Sequence, residues 1–138
     1  MKIDLRPGCE DDLDSIAQIQ GASPEAAQWD VREYLKYDLI VAVCDGHVAA
    51  FAVARRLAEG ESEVLNLAVD PAFRRRGIGR RLIAGLIADH PGVLWLEVRE
   101  SNLNGHKLYK SLGFHEAGRR PDYYPDSGEA AIVMNVHS

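Results

Sequence analysis

Val64-Leu65-Asn66-Leu67-Ala68-Val69 is followed by Asp70 to Arg76, then by Gly77-Ile78-Gly79-Arg80. That glycine turn runs into Leu82, Ile83, Leu86 and Ile87, then Pro91-Gly92, then Val93-Leu94-Trp95-Leu96-Glu97-Val98. The first and last runs are short, apolar and flanked by turn residues, which reads as two strands. Between them, Gly79, Leu82, Ile83, Leu86 and Ile87 recur at i, i+3, i+4, i+7 and i+8, the face of one helix. Pro91-Gly92 ends that helix. Strand, helix and strand in this order imply a parallel pair joined by a right-handed crossover.

Working toward the N-terminus, Leu39 to Cys44 and Val48 to Ala54 read as strands joined at Asp45-Gly46, a two-residue hairpin signal. Ile3 and Leu5 alternate with polar neighbours in a first strand that Pro7-Gly8 stops. Asp11 to Gln20 is an amphipathic helix with acidic residues at its start, where the dipole favours them. Ser23-Pro24-Glu25 predicts a second helix, Ser23 capping and Pro24 at the first position, with Trp29, Tyr34 and Leu35 along it. Toward the C-terminus, Leu103, Leu108 and Leu112 belong to a last helix closed by Gly113. A strand opening at Phe114 and a final antiparallel strand, Ala130 to Val136, flank a loop, Arg119 to Gly128, that carries Tyr123-Tyr124-Pro125. The fold class is therefore α/β: one mixed, mostly antiparallel sheet with a parallel βαβ pair and helices on both faces, in a single domain over residues 1–138.

Composition sets outer bounds. A chain of 138 residues, 46% hydrophobic and 27% charged, is ordinary for one globular domain. A formal net charge of −5 argues against generic nucleic-acid binding. No apolar run approaches the ~20 residues of a membrane helix, and Met1 to Arg6 lacks the apolar core of a signal peptide. Cys9 and Cys44 form no Cys-x-x-Cys, and His47, His90, His106, His115 and His137 form no ligand spacing. The expectation is a cytoplasmic protein with reduced thiols, surface or turn histidines, no metal, and no membrane or nucleic-acid partner.

Arg74-Arg75-Arg76-Gly77-Ile78-Gly79-Arg80 sits between the first strand and the helix of the crossover unit. Glycines let a backbone approach a bulky ligand, and the leading amides of a helix attract an anion. With arginines around them, the matching ligand is a pyrophosphate. The turn is neither a Walker loop, lacking Gly-Lys-Ser/Thr, nor Gly-x-Gly-x-x-Gly. Read alone, it is equally an arginine-rich, solvated helix start.

A longer series of motifs favours the ligand-binding reading. Asn66-Leu67-Ala68-Val69-Asp70-Pro71 with Arg74-x-x-Gly77-x-Gly79 resembles the acetyl-CoA signature of the GNAT superfamily of N-acetyltransferases. Leu94 to Arg99, Ser101-Asn102, Leu108-Tyr109-x-x-Leu112-Gly113-Phe114 and Arg119-Arg120-x-x-Tyr123-Tyr124 are similar to its RimI-type branch, whose members acetylate an N-terminal alanine. The resemblance covers residues 64 to 136. It implies that Leu67, Ala68 and Val69 offer backbone groups to the pantetheine arm and thioester of acetyl-CoA. It implies that Arg74, Arg75, Arg76, Gly77, Ile78, Gly79 and Arg80 hold the pyrophosphate and that Asn102 touches the coenzyme. It makes Glu97 the general base, with Glu63 as fallback, and Tyr109 the general acid.

The chemistry asks for both groups. An α-amine with a pKa near ~8 must lose a proton to attack, and deprotonating it costs roughly 3 kcal/mol less than deprotonating lysine. A carboxylate can accept that proton, and a tyrosine hydroxyl can protonate the leaving thiolate. The expected acceptor is a protein N-terminus, such as that of a ribosomal protein. A small-molecule amine and a non-catalytic coenzyme sensor are the alternatives. RimI-type chains carry an aromatic-proline-tryptophan stretch near the acceptor, whereas Ala22 to Trp29 keeps a proline and a tryptophan at altered spacing. The expected assembly is a monomer or homodimer.

Overall fold

A computed structural model describes residues 2–138. Its strands follow the order β1-β2-β3-β4-β5-β7-β6, and the chain divides into two compact units. Met1–Arg55 with Leu65–Leu86 make the first, Arg56–Val64 with Ile87–Ser138 the second.

In the first unit β1 (Ile3–Pro7) pairs antiparallel with β2 (Asp38–Cys44), and β2 with β3 (His47–Ala58). The expected hairpin is present: Asp45 and Gly46 have φ of 50° and 84°, the left-handed pair that a two-residue turn needs. α1 (Leu13–Gly21) turns Leu13, Ile16 and Ile19 inward. They join Tyr34, Leu39, Val41, Phe51, Val53 and Ala68 in one apolar core. Asp12 precedes the helix, accepting Cys9 N–H at 2.9 Å and both outer nitrogens of Arg6 at 2.8 Å. This fork holds the Asp12 carboxyl down at about 2, chiefly through the hydrogen bonds from Arg6.

The helix expected from Ser23 is absent. Ser23 Oγ instead donates to Ile19 O at 2.8 Å, closing α1. Gln28 Nε2 reaches the carbonyls of Gln20, Ser23 and Ala26, while Asn66 takes both the N–H and the carbonyl of Ala27. Carbonyls that a helix would use are thus taken by side chains, and the chain stays irregular. A tight helical turn forms only at Val31–Lys36, capped by Asp30. The fastening residue, Asn66 of β4 (Glu61–Val69), also donates to Tyr34 Oη at 2.9 Å and Gln20 Oε1 at 3.2 Å. This buried network ties residues 20–34 to that strand.

In the second unit β4 and β5 (Val93–Arg99) run parallel, as the crossover demanded, but only from Glu61↔Val93 to Glu63↔Trp95. β5 continues to Arg99 against β7 (Ala131–His137), which pairs antiparallel with β6 (His115–Arg120) on its other side. Burial alternates along β5: Leu94, Leu96 and Val98 point inward, Trp95, Glu97 and Arg99 to the opposite face. Gly92, at φ 103°, lies so close to Gly60 O that a Cβ would come within 2.2 Å, so no other residue fits this approach. α3 (Leu103–Ser111) starts at Asn102, whose Oδ1 accepts Gly105 N–H at 3.0 Å, and ends before Gly113 at φ 96°. His90, expected at the surface or in a turn, lies in the bend after the crossover helix but is buried, with Nδ1 2.9 Å from Ser62 Oγ. The ordered elements explain the difference, since Ser62 lies on an inward position of β4 beside the end of the crossover helix.

Candidate active site

The glycine turn of the first unit is built mainly by backbone conformation. Val69 ends β4, Asp70 caps a short turn at Pro71–Phe73 through a 2.9 Å bond from Ala72 N–H, and the chain then twists. Arg75 and Gly77 take φ of 63° and 75°. Left-handed residues in a turn can aim backbone amides at an anion. α2 (Ile78–Asp89) follows, and its ladder opens with Arg81 N–H on Gly77 O at 3.1 Å. The amides of Ile78, Gly79 and Arg80 therefore precede the ladder, at the positive end of the dipole. A Cβ on Gly77 would meet nothing within 4 Å, so it is φ, and not crowding, that calls for glycine there.

The arginines divide. Arg74 turns away from the glycines: Nη2 binds Glu25 Oε1 at 2.9 Å and Ser23 Oγ at 3.3 Å, while Nε donates to Val69 O at 3.2 Å. It straps the turn to the irregular segment after α1. Arg75, Arg76 and Arg80 are exposed, with the Arg76 guanidinium 5.6 Å from the Phe73 ring centroid. Along β4, Leu67 N–H lies 3.0 Å from Asn66 Oδ1 and Ala68 is buried. On the residues expected to meet the arm, two backbone groups, Leu67 N–H and Val69 O, thus have partners within the chain.

The second unit carries the carboxylate. Glu97 leaves the same face of β5 as Trp95 and Arg99, opposite Val133 of β7. Its side chain is 27% exposed, and Oε1 lies 4.0 Å from Arg120 Nε. Oε2 is buried with no hydrogen-bond partner among the described residues. Tyr124 and Tyr123 gather around it, edge to face at 5.1 Å between centroids. The Tyr124 phenol is pushed up to about 12, first by burial and then by the Glu97 charge. Tyr123 is raised first by burial, then by the Glu97 charge and by a side-chain hydrogen bond with Glu97. Both stay protonated around an anionic neighbour.

Asn102 spends its side-chain oxygen on capping α3. Tyr109, half-buried on that helix, packs against Phe114 with centroids 5.7 Å apart. Glu63 sits at the end of the β4–β5 ladder, across from Trp95. Sequence reading missed the ring of Arg99, Arg120, Asp126 and Glu129 around the tyrosines. The one available signal was the three charged residues, Arg120, Asp122 and Asp126, within three positions of Tyr123-Tyr124. Among the described residues no cluster of three or more His, Cys, Asp or Glu could hold a metal, and no helix is long and apolar enough to cross a membrane.

The model of the acetyltransferase (GNAT) family matches residues 10–114. The chain belongs to that family. It is an acetyl-CoA-dependent N-acetyltransferase with a mixed α/β fold, as the motif series implied. This GNAT chain is 45% identical over 107 residues to the ribosomal protein bS18-alanine N-acetyltransferase of Escherichia coli K12, covering 73% of the chain and 70% of the relative. It superposes on the crystal structure of the ribosomal-protein-S18-alanine N-acetyltransferase from Escherichia coli with a TM-score of 0.84 at 32% identity, over 98% of this chain and 93% of that one. Ard1 from Thermoplasma volcanium gives 0.87 at 27% identity over 99% of both chains. The turn from Arg75 to Arg80 suits the coenzyme's diphosphate: it is open above Gly77 and carries the exposed Arg75, Arg76 and Arg80.

Proposed function

We propose that residues 1–138 form one N-acetyltransferase domain that transfers the acetyl group of acetyl-CoA to the N-terminal α-amine of a protein, of the ribosomal bS18 kind. The observation that carries this reading is Glu97 Oε2, a buried carboxylate oxygen with no hydrogen-bond partner among the described residues. Such an atom is costly to leave unmatched, and an incoming ammonium group matches it in charge and hydrogen bonding. The similarity to the bS18-alanine acetyltransferase of Escherichia coli points to the same acceptor class.

In this reading Arg75 to Arg80 hold the diphosphate and the end of β4 guides the arm. Glu97 takes a proton from the acceptor amine, directly or through water. The amine nitrogen attacks the thioester carbonyl carbon, the new C–N bond forms and the C–S bond breaks. Tyr109 gives a proton to the departing sulfur. No covalent enzyme intermediate is needed, so Cys9 and the buried Cys44 stand outside the chemistry. The protein acts in the cytoplasm, where ribosomal proteins are made.

The test is a panel of free-N-terminus peptides, N-blocked lysine peptides and small amines, incubated with acetyl-CoA and read by mass spectrometry. Product confined to free N-termini, with an alanine-first bS18 peptide among the best, supports the proposal. Product confined to small amines, or coenzyme binding without any product, overturns it.

A further inference from the structure

The loop 121–130 has no regular structure. Its backbone bonds run from Tyr123 and Tyr124 N–H to Glu129 O at 3.1 and 3.2 Å and from Ser127 and Gly128 N–H to Tyr124 O at 3.4 and 2.7 Å, and Ala130 O accepts Glu100 N–H at 3.0 Å. Asp122 and Gly128 take left-handed φ of 51° and 72°. Loops of this kind are ordinarily mobile unless side chains tie them down. Yet Tyr123 and Tyr124, which this loop carries, are the groups whose ionisation feels the Glu97 charge.

Arg99 supplies the tie. Two residues beyond Glu97 on β5, it leaves the same face. Only 12% of its side chain is exposed. Nη1 and Nη2 fork onto Asp126 Oδ1 and Oδ2 at 3.0 and 3.1 Å, and Nη1 also reaches Glu129 Oε1 at 3.2 Å. The guanidinium carbon stands 4.0 Å from the centroid of the Tyr124 ring, within range of cation–π attraction. Glu129 Oε2 in turn accepts Ser101 N–H at 3.1 Å, anchoring the loop's far end to the segment after β5. Among the described residues Arg99 Nε is buried without a hydrogen-bond partner, so the outer nitrogens and the ring fix the group's position. A forked donor stacked on an aromatic face is a task for arginine that lysine's point charge does not reproduce.

We propose that Arg99 is a positioning residue for the acceptor: by clamping Asp126, Glu129 and Tyr124 it holds loop 121–130 beside the Glu97 carboxylate, so that the wall meeting the incoming peptide stands before the peptide arrives. This rests on Glu97 as the base of N-terminal acetylation. Preorganising a loop removes an ordering cost from the binding of whatever contacts it. The clamp's loss should therefore fall on the acceptor's KM and spare that of acetyl-CoA.

Arg99→Met and Arg99→Lys are compared with the unaltered protein in two measurements. Hydrogen exchange followed by mass spectrometry reads the amides of 121–130, and steady-state kinetics reads both KM values with a free-N-terminus peptide. Arg99→Met is expected to speed exchange at Tyr123, Tyr124 and Gly128 and to raise the acceptor KM about tenfold, with the acetyl-CoA KM unchanged. Arg99→Lys falls between, since it keeps the charge without the fork. Should Arg99→Met not fold, Asp126→Asn carries the same test at about threefold. Unchanged exchange overturns the clamp. Faster exchange with an unchanged acceptor KM, or with both KM values raised together, reduces Arg99 to a structural ion pair and overturns the positioning role. An unaltered protein that acetylates no free N-terminus overturns the functional reading itself, and this role with it.

Discussion

The glycine turn of the first unit and the carboxylate surroundings of the second solve two electrostatic problems by different means. At the turn, the proposed anion site is made from consecutive residues, by left-handed φ at Arg75 and Gly77 and by the leading amides of α2. Around Glu97, an anion is surrounded by side chains from three segments: Arg99 on β5, Arg120 on β6, and Tyr123 and Tyr124 in the loop after it. Main-chain dipoles are fixed by local conformation, so the first site is hard to change except through φ. Side-chain environments depend on each participant, so the second should be sensitive to single atoms.

The sharpest test of that contrast is Glu97→Gln, which preserves shape and removes the proton acceptor. Turnover is expected to fall about 100- to 1,000-fold, the range of a lost general base. The deficit should be largest at low pH, where an α-amine with a pKa near ~8 is mostly protonated, and should shrink as pH rises. Coenzyme affinity, measured by calorimetry, should stay as it was. A Gln variant with normal turnover at pH 6 would move the base elsewhere, Glu63 being the first candidate. Tyr109→Phe comes next, at about ten- to a hundredfold in kcat, since thiolate departure can still borrow a proton from water. Its ring keeps the packing on Phe114, so coenzyme affinity should hold while kcat falls; an unchanged kcat would make Tyr109 a packing residue.

A third test concerns the scaffold of the turn's own unit. Asp12 has a folded pKa of about 2, depressed by Arg6, against an unfolded value near ~3.9. A depressed carboxyl contributes stability that is complete above the unfolded value and lost as pH falls toward the folded one. Across that window, roughly pH 4 to 2, about 2 kcal/mol should disappear. Asp12→Asn should forfeit it at pH 7 already and flatten the acid limb of the unfolding curve. A variant whose acid limb keeps the original slope would show that the Arg6 fork stabilises nothing.

The same contrast explains what the sequence made legible. Strands, the crossover helix and the hairpin at Asp45-Gly46 depend on periodicity and turn chemistry within short windows, and the structure has each of them, although β3 runs on to Ala58 and β4 starts at Glu61, before Val64, where its parallel pairing lies. The glycine turn is equally local. The second helix failed because its competitor was distant: Asn66, some forty positions on, captures the Ala27 backbone, and no window around Ser23 contains it. The surroundings of Glu97 stayed hidden for the same reason. Pairing of β5 with β7, and β7 with β6, brings Arg99 to Asp126 and Arg120 to Glu97. Arg120 reads as solvated charge until that register is known. Arg74 shows the converse, a residue from the glycine motif whose guanidinium the fold commits to Glu25 and Ser23.

The smallest expected effect probes whether the turn is truly a backbone device. Gly77→Ala adds a methyl group into open space, so any loss must come from φ, at 75°. For a residue with a Cβ, the left-handed region costs about 1–2 kcal/mol. Part of the variant population should then hold the turn in another conformation, and apparent affinity falls in proportion to the competent fraction. Coenzyme affinity should weaken about fivefold, which corresponds to about 1 kcal/mol, while kcat with saturating acetyl-CoA stays level. Arg75, also left-handed, offers the control: Arg75→Gly relaxes the same strain and removes one charge, so its affinity loss should shrink at high salt, whereas the Gly77→Ala loss should not. Were Gly77→Ala to bind the coenzyme as tightly as the unaltered chain, amide geometry would cease to be the source of the grip, and the arginines would have to supply it.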